Sequence, residues 1–257
     1  MVINIDNERK EGKGKLGYLK EKLSMKFFLF IGLALVLVKI PLIGDYFRII
    51  NTVIHESGHA FIALIGGNIE SISLYMNADG VTHGTESVWI INFITCAAGY
   101  TIASFLAYAS FLLIKKKKHI LFVDLLLGVI IINLILWVRN PYGLFWLASF
   151  GLLFLAVLIK GSKKVIHNLV LLIASVLLVE SVSTAYDILI ISMIQPHAAG
   201  DATNLSQLTG FIPAQGWGVF FFAQALFFVV LGFKKGLFSL GKGDIQHNYQ
   251  LEGTKEY

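Results

Sequence analysis

Residues 46–65 read YFRIINTVIHESGHAFIALI, an apolar run with His55, Glu56 and His59 in its interior. About 20 apolar residues are enough to cross the hydrocarbon core of a bilayer. Inside lipid the backbone must satisfy its own hydrogen bonds, so the run is expected to be helical. Ionisable side chains within such a run are costly and mark functional sites. His55 and His59 stand four residues apart, roughly 1.1 helical turns, and so share a face. His-Glu-x-x-His on one helix face is the arrangement by which two imidazoles hold one Zn²⁺. Zinc lowers the pKa of a bound water to about 7. Glu56, beside the first histidine, can take the proton from that water. The competing interpretation of 46–65 is an interfacial helix whose polar face meets water.

Working outward, six more apolar stretches occupy 27–43, 88–114, 119–138, 143–159, 165–194 and 217–233. The stretch 165–194 is long enough that a tilted or broken helix is expected. Pro41, Gly44 and Asp45 separate the first stretch from the motif helix, and Pro141, Pro196 and Pro213 also fall near ends or loops. Residues 67–87 are different. Ile69, Ile72, Leu74 and Val81 mix with polar residues around Asn77-Ala78-Asp79-Gly80, and Asp-Gly is a turn signal, so a short β-hairpin is expected.

Composition agrees with a membrane protein. Apolar residues make up 56% and charged residues 14%, with mean hydropathy +0.73. Soluble domains are about one quarter charged, so an ordinary cytosolic enzyme is excluded. Disorder is excluded by the same apolar content. The single cysteine, Cys96, rules out an internal disulfide and a Cys-rich metal cluster. The net charge of +5 does not indicate a nucleic-acid partner, because the basic residues sit in short clusters between apolar runs.

Residues 1–26 are expected to form a basic cytoplasmic tail, too long and too charged for a typical signal peptide. Residues 234–257 form a polar C-terminal tail. The clusters at 115–118, at Lys160, Lys163 and Lys164, and at Lys234 and Lys235 all favour the cytoplasm, as the tail does. Seven full crossings would split them. Six crossings reconcile them if 46–65 is embedded without spanning. The hairpin, 139–142 and 195–216 would then share the opposite face.

A catalytic zinc needs a third protein ligand. The candidates, intramembrane or loop acids, are Asp124, Glu180, Asp187 and Asp201. Asp201, after Gly200 and ahead of Leu205 and Leu208, could equally cap a short helix. Glu180 and Asp187, seven apart, share a helix face and could pair with a cation. His83, His119, His167, His197 and His247 are scattered.

The motif at 55–59, the hairpin, Arg139-Asn140-Pro141-Tyr142-Gly143, Asp201-Ala202, Leu208-Thr209-Gly210, Pro213 and Trp217 follow in that order. This resembles the small bacterial branch of the site-2 protease family, the intramembrane zinc metallopeptidases, over roughly residues 46–233. That family draws its third zinc ligand, an aspartate, from a second stretch, and by position the role falls to Asp201. The family's Asn and two prolines leading into Leu-Asp-Gly are absent here, and Asn140-Pro141 is a partial echo.

The resemblance implies an all-α polytopic membrane protein with six to seven transmembrane helices and a short re-entrant β-hairpin. Residues 27–233 would form a membrane-embedded metallopeptidase domain in a multi-pass protein of the bacterial cell membrane. Zn²⁺ would be held by His55, His59 and Asp201, with Glu56 as the catalytic base. The hairpin at 68–84 would hold substrate as an added strand, with Asn140, Leu74 and Tyr75 in contact with it. An unpaired strand edge can do this through its backbone N–H and C=O groups. Membrane-protein or peptide substrates and the lipid bilayer are the expected partners, and no nucleic acid. Two alternatives are a non-proteolytic zinc-binding scaffold or transporter, and a zinc hydrolase acting on lipid.

Overall fold

The computed structural model describes residues 24–86 and 88–239. Most of the two expected tails, and His247, lie outside the described residues. Helix α1 (Met25–Leu37) starts at Ser24, whose Oγ accepts from the Lys26 N–H at 3.2 Å. Its thirteen residues span about 20 Å at ~1.5 Å per residue. The apolar core of a bilayer is about 30 Å thick, so α1 is shorter than a full crossing. It stops in a tight turn where Leu42 takes φ 65° and Gly44 presses on Val38. A Cβ on Gly44 would sit 2.6 Å from the Val38 carbonyl oxygen.

The motif helix α2 (Ile43–Ala63) follows, then strands β1 (Gly67–Leu74) and β2 (Gly80–Glu86) paired antiparallel. Next come α3 (Trp89–Lys115), α4 (His119–Ile132) with a π-helical turn at Asn133–Trp137, and α5 (Pro141–Lys160). Helices α6 (Lys163–Ile194), α7 (Gly200–Thr209) and α8 (Ala214–Lys234) complete the described chain. Five helices are long and apolar enough to cross a membrane: α3, α4 with its π turn, α5, α6 and α8. The architecture is therefore the expected all-α polytopic one with a small hairpin. Helix α6 is unbroken over 32 residues, because no Gly or Pro interrupts it.

Polar contacts fix α2 inside the bundle. Near its start, Arg48 Nε donates to Glu180 Oε2 at 2.9 Å, and Glu180 lies in the middle of α6. Arg48 also meets Asp45 at 3.1 Å. The start of the motif helix is thus held against the middle of α6, and its end leads into the hairpin. Gly58 lets α2 approach α3 closely, since a Cβ there would lie 3.2 Å from the Ala98 carbonyl oxygen.

The hairpin is held on two sides. In its turn Ala78, not Gly80, takes the left-handed conformation, and the Ala78 carbonyl accepts from Thr52 Oγ1 at 2.6 Å. On the far side of β1, Ile72 bridges Val138 in parallel. The Leu74 N–H donates to Asn140 Oδ1 at 3.0 Å, and Asn140 Nδ2 donates to the Leu74 carbonyl at 2.6 Å. Asn140 precedes α5, but its side chain makes no capping bond there. Its amide instead closes the β1 edge, as a neighbouring strand would.

Candidate metal centre

Two imidazoles and one carboxylate converge where α2, α3 and α7 meet. His59 Nδ1 lies 2.7 Å from the Thr95 carbonyl oxygen. A carbonyl can only accept, so Nδ1 carries the proton and Nε2 keeps its lone pair. That Nε2 is 3.0 Å from His55 Nε2, and each of the two is 3.3 Å from Asp201 Oδ2. Ligands bonded at 2.0–2.1 Å around a tetrahedral Zn²⁺ stand about 3.3 Å apart. The triangle therefore has the size that one small divalent ion requires. Asp201 Oδ2 is buried and has no hydrogen-bond partner among the described residues. A buried carboxylate oxygen left without a partner is costly, and a cation between the three groups removes that cost.

Asp201 is free for this because something else secures the start of α7. The Ala199 N–H donates to Thr203 Oγ1 at 2.9 Å, and that hydroxyl donates to the Pro196 carbonyl at 2.7 Å. Asp201 is in the first turn and caps nothing. Ala202 and Leu205 bury the helix against Trp217 and Phe221 of α8, which fixes its position. The other acids are elsewhere. Glu180 pairs with Arg48, whereas Asp124 and Asp187 are exposed and outside the group. His83 and His197 are exposed, and His119 meets His167 at 2.6 Å between α4 and α6.

Glu56 is buried beside the histidines, and its Oε2 accepts from Thr82 Oγ1 of β2 at 2.7 Å. Gly80 makes that approach possible, because a Cβ there would sit 2.8 Å from Glu56 Oε1. On the opposite side of the motif helix, Ser57 Oγ donates to the Val53 carbonyl at 2.6 Å. Asn133 Nδ2 donates to Ser57 Oγ at 2.7 Å. Asn133 opens the π turn of α4, so this contact pins α2 to α4. Gly99 of α3 faces both histidines, and a Cβ on it would lie 2.6 Å from each Nε2.

A cavity of about 600 Å³ opens against the triangle. It is lined by β2 at 80–82, by Asn92, Cys96 and Tyr100 of α3, and by Asn204 and Gln207 of α7. The Tyr100 ring stands edge-on to His55, with centroids 4.6 Å apart. Sequence reasoning named His55, Glu56, His59 and Asp201, and the structure brings these four to one cavity. Asn140, Leu74 and Tyr75 do not line it, because Asn140 and Leu74 satisfy each other behind the hairpin. Sequence reasoning did not find Thr82, Thr95, Gly99 or Asn133. For Gly99 the small-residue run Ala97-Ala98-Gly99 was a sign of close helix approach, but nothing in it points to a metal.

The family model described as Peptidase M50B-like matches residues 28–232, a span that contains every residue of the site. No curated protein and no solved structure matches the chain.

Proposed function

The chain belongs to the M50B-like peptidases of the site-2 protease family, and we propose that it is an intramembrane zinc metalloprotease acting on membrane-protein or peptide substrates. The observation that carries this is the triangle of His55, His59 and Asp201 with Glu56 at its side in one cavity. When bound, Zn²⁺ supplies Lewis acidity that ionises water near neutral pH and polarises the scissile carbonyl. His55 Nε2, His59 Nε2 and Asp201 Oδ2 would hold it. The Thr95 carbonyl keeps the His59 proton on Nδ1, so that Nε2 remains a ligand.

Glu56 is the general base. The Thr82 hydroxyl donates to Oε2 and fixes the carboxylate plane, leaving Oε1 to take the proton of the attacking water and return it to the leaving amine. A non-proteolytic scaffold has no use for a buried carboxylate held in this way. A helical substrate must unwind first, because its carbonyls are engaged. The unwound segment adds to the outer edge of β2, the strand that lines the cavity. The outer edge of β1 is taken at Ile72 and Leu74 by 138–140. Asn140 and Leu74 then serve substrate by holding the hairpin in place, and half-exposed Tyr75 stands at its tip.

The test is Glu56→Gln in the full chain, with casein and synthetic single-span peptides as probes and metal analysis alongside. Zinc is expected to stay near one per chain. Cleavage falls by about 10²–10⁴-fold, the usual contribution of a general base. Undiminished cleavage in this variant, or wild-type protein free of zinc, overturns the assignment.

A further inference from the structure

The fold divides its charge between two ends. Lys115 Nζ donates to the Lys235 carbonyl at 2.7 Å, which puts the end of α3 beside the end of α8. The His119–His167 contact joins the start of α4, next to Lys118, to the first turns of α6, which carry Lys163 and Lys164. The Ser24 N–H donates to the Phe238 carbonyl at 3.3 Å, so Lys26 is at this end too. Among the described residues, only three Lys or Arg lie elsewhere: Lys39, Arg48 and Arg139. Arg48 is ion-paired within the bundle, and Arg139 is folded back onto the carbonyls of Ile135, Leu136 and Val138.

The metal centre is at the other end. The residues of α3 that line the cavity, Asn92 to Tyr100, belong to the half of the helix remote from Lys115. Trp89 Nε1, at the start of α3, donates to the Leu208 carbonyl of α7 at 2.9 Å. The hairpin, the 138–140 loop and α7 thus gather on one surface, and exposed Asn204 and Gln207 form the rim of the cavity there. Lysine-rich loops remain in the cytoplasm because translocating them is unfavourable. We propose, resting on the metalloprotease reading above, that the centre works from the extracytoplasmic side. Its substrates are peptide segments at or just outside that surface of the bilayer, and the cytoplasmic ends of membrane proteins do not reach it.

Gln207→Cys and Lys116→Cys, each in a Cys96→Ser full-length background, test this in right-side-out vesicles with a membrane-impermeant maleimide. Position 207 is expected to react at once, and position 116 only after detergent. The reverse pattern, or reaction of both from one side, overturns the proposal. Wild-type protein supplies a measurement free of folding effects: external EDTA strips the metal from right-side-out vesicles and spares it in inside-out ones. Metal loss only from inside-out vesicles also overturns the proposal. Vesicles holding no metal in either orientation overturn the metalloprotease reading instead, a result the labelling pattern does not share.

Discussion

Gly99→Ala separates metal binding from helix stability. In the middle of α3, alanine favours the helix over glycine by roughly 1 kcal/mol. Against that, the added Cβ would lie 2.5 Å from His55 Cε1 and 2.6 Å from both Nε2 atoms. Carbon contacts relax at about 3.5–4.0 Å, so the rings must retreat by about 1 Å. Metal–ligand distances tolerate about 0.2 Å, so that retreat removes at least one imidazole from the ion. Altering an outer-shell partner alone already costs about 10–100-fold in metal affinity. Displacing a ligand directly is expected to reach or pass the upper end of that range. Overpacking costs about 1–3 kcal/mol, which the helix preference partly offsets, so the fold survives. Zinc per chain after equilibration with a competing chelator, measured beside a thermal melt in the chelator's presence, reads the two effects separately. A variant that keeps wild-type zinc affinity would refute the reasoning, because the two Nε2 atoms could not then share an ion next to position 99.

Two further outcomes follow from the same geometry. Asp201→Ala is expected to lose most of its zinc by elemental analysis while Asp187→Ala keeps it; a role as helix cap would cost only ~0.5–2 kcal/mol and leave the metal bound. Thr82→Val is expected to lower kcat about tenfold at unchanged zinc content, since a hydrogen bond to a charged group contributes ~1.5 kcal/mol or more. Thr82→Ser should restore the rate, and failure of the serine variant to do so would reduce Thr82 to a packing role.

Much of the fold was legible because lipid leaves the backbone few options. Each long apolar stretch became a helix, and the Asn-Ala-Asp-Gly turn became a hairpin. The stretch 27–43 yielded only a short helix, since the chain reverses at Pro41 and the left-handed Leu42. His55, Glu56 and His59 declared themselves through spacing alone. Asp201 did not: by residue type it was one acid among four, and only the order of motifs singled it out. The rest of the site is made by contacts between residues far apart in the chain. Gly99 and Gly128 look alike in an apolar helix. One faces two histidines and the other has nothing within 4 Å, a difference that only packing creates.

The Arg48–Glu180 pair has a consequence for how the protein is made. The partners lie 132 residues apart. A charged side chain at the centre of a membrane helix costs about 2.5–3.5 kcal/mol on insertion, so α2, with Arg48, Glu56 and its histidines, is a poor candidate to enter lipid alone. Asp45 is on the same helix, but the buried counter-ion, Glu180, does not exist until α6 has been synthesised, roughly ten seconds later at about 5–20 residues per second. The motif helix is therefore expected to wait near the membrane surface and to be drawn in after later segments have crossed. In a Cys96→Ser background that keeps Arg48, nascent chains arrested before residue 163 should leave a cysteine at position 49 open to water-soluble maleimide, and chains arrested beyond α6 should protect it. Equal protection at both lengths would mean that α2 inserts unaided.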